Sequence, residues 1–316
     1  MEPNRQRFAA IVNPASGRRD HLAVVKQLAE RLDDVGASLE ILVSEYPGHP
    51  TQLARELSSD IEAAVVVGGD GTINEVLNGL LPRRLPLLIW SRGTANLLGR
   101  GTGIPPRLSQ FVDVLRSGDS HLIDAGNLNG RYFHSIAGVG FDAACIDRME
   151  RGGHIAFGDF FWPIWRAFWA FTFPRLRVHV RGDLVFEGRA SVMIGNQPFY
   201  GPSIRAFPSA DPSDGLLDLC IMPAAHHLEL LYRAAYFLAE RQQGSAGFIC
   251  SRSDEVSVDV IDPVHAHVDG ELLEAGRIDI RVERQAIRLL RCRNGRASGA
   301  DPAARARGCE LSNRPA

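Results

Sequence analysis

Apolar residues in the first third of the chain come in short unbroken runs, separated by stretches with helical periodicity. Runs at 8–12, 39–43, 63–67 and 85–90 predict strands, and 63–67 is apolar enough to be buried on both faces. Between them, Leu22, Val25, Leu28, Ala29 and Leu32 recur on one helical face. A short helix is predicted at 51–57 with Thr51 as its cap, a third at 73–80, and a fourth from Leu108, Phe111, Val112 and Leu115. Strand–helix alternation of this kind implies a parallel sheet covered by helices. Ligands on such sheets bind outside the carboxyl ends of the strands.

Past about residue 120 the runs shorten and turn residues multiply. Strands are predicted at 132–137, 175–180, 190–194, 217–222, 256–261, 265–268 and 278–282. Asn129-Gly130 and Arg181-Gly182-Asp183 look like hairpin turns. One helix is marked by Leu228, Leu231, Ala235 and Leu238, and a second is compatible with the aromatic segment 157–173. The expected architecture is therefore α/β. An N-terminal parallel-sheet nucleotide-binding domain occupies 1–122, an antiparallel β-sandwich domain 123–292, and a polar tail predicted to be disordered 293–316.

Composition narrows the partners. Hydrophobic residues make up 45% and charged residues 23% of 316, ordinary for a chain that builds a core in water. A net charge of −2 gives no basic field for nucleic acid. Cys145, Cys220, Cys250, Cys292 and Cys309 form no Cys-x-x-Cys pair, which suits a reducing cytoplasm. The opening Met-Glu-Pro-Asn-Arg-Gln-Arg lacks the apolar run expected of a signal peptide. The most apolar stretch, 157–173, is broken by Asp159, Pro163 and Arg166, and it falls short of the roughly 20 apolar residues a membrane span needs.

The densest chemistry lies at Gly68-Gly69-Asp70-Gly71-Thr72, directly after an apolar strand and before a helix carrying Ile73, Asn74 and Glu75. Glycines let backbone N–H groups approach an anion, and a helix N-terminus adds partial positive charge, so the segment predicts a phosphate site. Thr72 would offer a hydroxyl, and Asp70 would sit near a metal or the γ-phosphate. There is no Gly-Lys-Ser/Thr of a Walker loop and no Gly-x-Gly-x-x-Gly. Asn13-Pro14-Ala15-Ser16-Gly17 and Gly93-Thr94-Ala95-Asn96 are two further small-residue turns after predicted strands. Each alone is a plain turn; together with the glycine loop they mark one edge of the sheet.

Farther along, Asp269-Gly270-Glu271 sets two carboxylates about a glycine bend, read as a proton acceptor with its support or as a solvated hairpin. His265, His267 and Asp269 would share a strand face, a polar wall or a metal site. Asp211-Pro-Ser-Asp214-Gly-Leu-Leu-Asp218 clusters acids around another glycine turn. Trp162, Trp165 and Trp169 lie on one helical face, suited either to a lipid boundary or to packing or a dimer contact.

With Asp124-x-Gly, Asn196, Pro208-x-Ala and Asp214-Gly-x-Leu-Asp218 in the same order, these motifs resemble the diacylglycerol kinase catalytic-domain family, which includes sphingosine kinases and bacterial lipid kinases. The resemblance spans about 7–290. It implies an ATP-dependent lipid kinase that meets its lipid at the membrane surface from the cytoplasm, with a homodimer left open. The implied ATP site is Asn13, Gly68, Gly69, Asp70, Gly71, Thr72, Ile73, Asn74 and Thr94, with Ser44 where the family has a threonine. The implied proton acceptor is Asp269 or Glu271, with Asp70 near the transferred phosphate. The implied structural Mg²⁺ site uses Asp214 with carbonyls near Asp211 and Leu216, and a catalytic Mg²⁺ would travel with ATP near Asp70 and Asp124. Leu97 stands where many members carry an aspartate. Two rivals remain: an NAD kinase, which shares the Gly-Gly-Asp-Gly loop, and a lipid- or nucleotide-binding protein without turnover.

Overall fold

The computed structural model describes residues 5–16, 21–91, 96–101, 108–151, 161–200, 204–240, 247–274 and 276–291. The first part alternates as predicted: β1 (Arg7–Val12), α1 (His21–Asp33), β2 (Ser38–Val43), α2 (His49–Glu56), β3 (Ala63–Gly68), α3 (Asp70–Leu80), β4 (Leu87–Ser91), a short α4 (Leu97–Gly101) and α5 (Leu108–Ser117). β2, β1, β3 and β4 lie side by side in that order, all parallel. Their side chains alternate between two cores. Ala9, Ile11, Ala64 and Val66 meet Ile73, Val76 and Leu77 of α3, while Phe8, Val12, Val65 and Val67 meet Val25, Leu28 and Leu32 of α1 and Phe111 of α5. Burial on both faces explains the unbroken apolar runs.

Thr51 does not cap α2. Gly48 takes that position in a left-handed conformation, and the Thr51 hydroxyl instead donates to the Glu75 carbonyl at 2.8 Å, tying α2 to α3.

The second part is antiparallel: β5 (Ser120–Leu128), β6 (Arg131–Phe133), β7 (Ile136–Val139), α6 (Phe141–Arg151), α7 (Phe161–Ala170), β8 (Arg175–Val180), β9 (Asp183–Gly195), β10 (Leu217–Pro223), α8 (His227–Leu238), β11 (Ile249–Ser253), β12 (Glu255–Val260), β13 (His265–Val268), β14 (Glu271–Glu274) and β15 (Arg277–Leu290). Alternate residues such as Leu176, Val178, Val192, Ile194, Leu217, Leu219, Val256 and Val258 fill one sandwich core. The long β9 passes between layers, pairing β8 with its first half and β7 and β10 with its second. Asn129-Gly130 and Arg181-Gly182 have the paired positive φ of tight hairpin turns.

The expected strand at 132–137 is two strands, because the chain breaks at His134-Ser135. The expected strand at 278–282 runs on to Leu290, and α6 adds a helix that the alternating pattern did not announce. The two parts also share a strand. β15 pairs β12 in the sandwich, pairs β5 on both sides of an irregularity between Glu283 and Ile287, and at its end meets β4, where Leu289 is opposite Leu87. Ala286, Ile287 and Leu289 thus belong to the same core as α3. The tail from 293 lies outside the described residues.

Candidate active site

β1 and β3 are neighbours, so Asn13 follows one strand end beside the glycine loop at the other. Asn13 Nδ2 donates to Thr72 Oγ1 at 2.9 Å, and Gly69 N donates to Ser16 Oγ at 3.3 Å. Gly68 admits no side chain, since a Cβ there would lie 2.6 Å from Thr72 Cβ. Gly71 is the opposite case: a Cβ there would meet nothing within 4 Å. Its missing side chain leaves room in front of α3. That helix has Gly69 at its N-cap and no side-chain cap, so its first N–H groups are open to an anion. The residues fit a phosphate.

Asp70 has both carboxylate oxygens engaged by backbone amides. Its Oδ2 accepts from Asn96 N and its Oδ1 from Leu97 N, each at 2.8 Å, so it binds the start of α4 to the glycine loop. The position where the family carries another aspartate thus contributes a backbone amide. Thr94 lies outside the described residues. Ser44 is buried where β2 ends, its N–H donating to the Val12 carbonyl at 2.9 Å. Ile73 is a core residue.

Asn74 links the two parts of the chain. Its Nδ2 donates to Asp269 Oδ2 at 3.2 Å, and Asp269 occupies the β13–β14 turn at φ 47° followed by Gly270 at φ 90°. The Asp269 side chain is 1% exposed. It accepts three successive backbone amides, from His134 at 2.8 Å, Ser135 at 3.0 Å and Ile136 at 2.9 Å. This nest bends the chain between β6 and β7 and accounts for the break at His134-Ser135. Two residues on, Glu271 is half exposed and ion-paired to Arg131. The two acids of Asp-Gly-Glu thus differ: Asp269 is buried and shapes the turn, and Glu271 faces solvent.

Between these walls lies a cleft of about 650 Å³, lined by Gly48, Gly71, Asn74, Glu75, Arg131, Glu150, Asp269 and Glu271 among others. The N-terminus of α3 forms one wall and the Asp-Gly-Glu hairpin the other. Arg131 and Glu150 carried no signal in the sequence, and Glu75 stood there only as the residue after Asn74 behind the glycine loop; the fold sets all three at the cleft. Burial pushes the Glu75 carboxyl above its usual range, and the Glu271 charge adds to this, while Glu75 accepts from Gly48 N at 2.9 Å. A carboxylate perturbed in a cleft is a mark of a functional site. His267 is not on the cleft surface; its Nε2 meets Asp142 Oδ2 of α6 at 2.8 Å in the interior.

The residues expected to hold metals are otherwise engaged. Asp124 is 1% exposed, accepting from Gly215 N and from Gln285 N, both at 2.7 Å. It pins the 211–216 loop to the irregularity in β15, where Gln285 has φ 51°. Asp211 Oδ1 accepts from Ser213, and Asp214 Oδ1 from Leu216 N at 2.9 Å. Asp214 Oδ2 pairs with the Arg252 guanidinium, which also reaches Asp218 Oδ2 at 3.3 Å. A Cβ on Gly215 would lie 2.7 Å from Arg284 Cζ. Guanidinium groups crowd the loop where a divalent cation was expected, and among the described residues no group of three or more His, Cys, Asp or Glu side chains is placed to hold a metal.

A parallel sheet with an open phosphate cradle thus faces a carboxylate hairpin on an antiparallel sandwich. Comparison with known proteins gives the family. Residues 7–128 match the diacylglycerol kinase catalytic domain, and residues 135–291 match the YegS C-terminal NAD kinase beta sandwich-like domain. The chain belongs to the diacylglycerol kinase catalytic-domain family. It is 27% identical over 279 residues to the diacylglycerol kinase of Bacillus subtilis (strain 168), covering 84% of this chain and 90% of that one. It is 26% identical over 275 residues to a Staphylococcus epidermidis diacylglycerol kinase, covering 84% and 86%. A solved diacylglycerol kinase structure from Bacillus anthracis str. Sterne shares the fold with a TM-score of 0.66 at 20% identity, covering 96% of this chain and 99% of that one. No described helix is long and apolar enough to cross a membrane.

Proposed function

We propose that this member of a lipid kinase family transfers the γ-phosphate of ATP to the hydroxyl of diacylglycerol or a related lipid, working at the cytoplasmic face of a membrane. The observation that carries the reading is the cleft itself. It sets the uncapped start of α3 and the open face of Gly71 opposite Glu271 and Arg131. The α3 amides would hold the phosphates of ATP, which arrives as its magnesium complex. The lipid hydroxyl oxygen forms the new bond to the γ-phosphorus as the bond to the β–γ bridging oxygen breaks and ADP leaves. The hydroxyl proton passes to Glu271, the acid of the hairpin that faces the cleft, while Asp269 holds the hairpin in place. Catalysis in such a site is mostly positioning and electrostatics.

Incubation with γ-labelled ATP and a total lipid extract tests this. A labelled lipid is expected. Label appearing only when NAD is supplied would transfer the assignment to the NAD kinases, and nucleotide binding with no labelled product would leave a binding protein.

A further inference from the structure

Helix α7 carries its aromatic residues outward. Phe161 and Trp162 are each 64% exposed, Trp169 is 59%, and Ile164 and Trp165 are exposed as well. Only Ala167 of this helix is buried. The rings of Phe168, Trp169 and Phe173 close around His227 at 5.1–5.4 Å, which joins α7 to the start of α8. There the exposed Leu228, Leu231 and Tyr232 extend the apolar surface. A monomer seldom leaves so many large apolar side chains together in water without a partner.

The border of this surface is cationic. A hollow of about 480 Å³ is lined by Arg148 and Arg151 of α6 and by Trp162, Pro163 and Arg166 of α7. Arg151 pairs with Asp147, whereas among the described residues neither Arg148 nor Arg166 has an acidic partner. Tryptophan favours the headgroup boundary of a bilayer, and guanidinium groups bind phosphate diesters there. α6 also carries Glu150, which lines the catalytic cleft, so one helix borders both.

We propose that α7 and the start of α8 form a bilayer-docking face, with the exposed rings inserted at the headgroup boundary and an anionic phospholipid headgroup seated in the arginine hollow. The surface is independent of turnover, and it deepens the lipid kinase reading by setting the cleft beside the membrane plane. Charge decides for an anionic bilayer over a second copy of the chain: a twofold contact through this face would bring the two arginine hollows toward each other.

The test uses the full chain with vesicles of phosphatidylcholine alone or mixed equally with phosphatidylglycerol. Trp90 is buried at 7% exposure, so a change in emission on vesicle addition reports α7. The expected result is a blue shift, with quenching by brominated acyl chains, on the mixed vesicles. The F161S/W162S variant should lose about tenfold or more in partitioning. The R148A/R166A variant should lose roughly thirtyfold, on anionic vesicles only and less at high salt. All four positions are exposed, and circular dichroism checks the folds; should a variant unfold, quenching of the unaltered protein still decides. Unquenched emission overturns the proposal, as does a dimer by light scattering that F161S/W162S dissolves without affecting vesicle binding. A chain that docks but labels no lipid sinks the kinase reading and leaves the docking face standing.

Discussion

Replacing Asp269 by alanine removes the acceptor for three consecutive amides and for Asn74, in a site where the side chain is 1% exposed. Each buried N–H left without a partner costs about 1–3 kcal/mol. Allowing for water entering the vacated space, the sum is about 3–6 kcal/mol, a drop in Tm on the order of 10 °C. Asparagine keeps one acceptor oxygen but aims its NH₂ at donors on the other side, so about half the loss should remain. Glu271→Gln, half exposed, should stay within about 0.5 kcal/mol of the parent while its turnover falls. Urea unfolding followed by circular dichroism measures the three variants, and turnover is then compared where all are folded. Amide exchange at His134, Ser135 and Ile136 should rise in Asp269→Ala. If that variant unfolds within about 1 kcal/mol of the parent, the nest is not what holds this turn, and Asp269 regains equal standing with Glu271 as proton acceptor.

Gly71→Ala should leave stability unchanged, since its Cβ meets nothing, yet weaken ATP binding in a calorimetric titration; Gly68→Ala should destabilise, because its Cβ would collide with Thr72. Glu75 has a raised pKa, so the native state holds its proton more firmly than the unfolded chain does. The penalty is present above that raised value and fades as pH falls to the ordinary carboxylate range. Glu75→Gln, which keeps an acceptor for Gly48 N, should therefore melt higher than the parent at neutral pH and equal to it at acid pH; a gap that widens on acidification would refute this. With Arg252 on Asp214, added Mg²⁺ should raise Tm no more than a matched monovalent salt does, whereas Arg252→Ala should gain a Mg²⁺-specific rise in thermal scans.

The parallel half of the fold was legible because its strands are buried on both faces, and such strands leave unbroken runs such as Ala63–Gly68. Helix α6 was not, because Asp142 turns inward to meet His267 and so spoils the apolar period. The end of β15 was hidden by Arg288, which stands exposed between the buried Ile287 and Leu289. At the site, local chemistry read well: the glycine loop announces itself by strand, turn and helix start. The part of Asp269 did not, because its three amides lie more than 130 residues away and no spacing records them. Arg131 became visible only when the cleft put it beside Glu271, and Glu75, legible as part of the glycine-loop motif, showed its place opposite the hairpin only there.

The last strand has a bearing on how this protein is made. β4 stands beside β15, whose final residues are the last of the described chain to be synthesised. Until residue 290 leaves the ribosome, the first sheet keeps a bare hydrogen-bonding edge and its core lacks Ile287 and Leu289. The edge and core of the first sheet are therefore completed by residues from the far end of the sandwich part. A chain whose last strand is delayed or lost leaves the β4 edge uncovered, where it can pair with a strand of another copy.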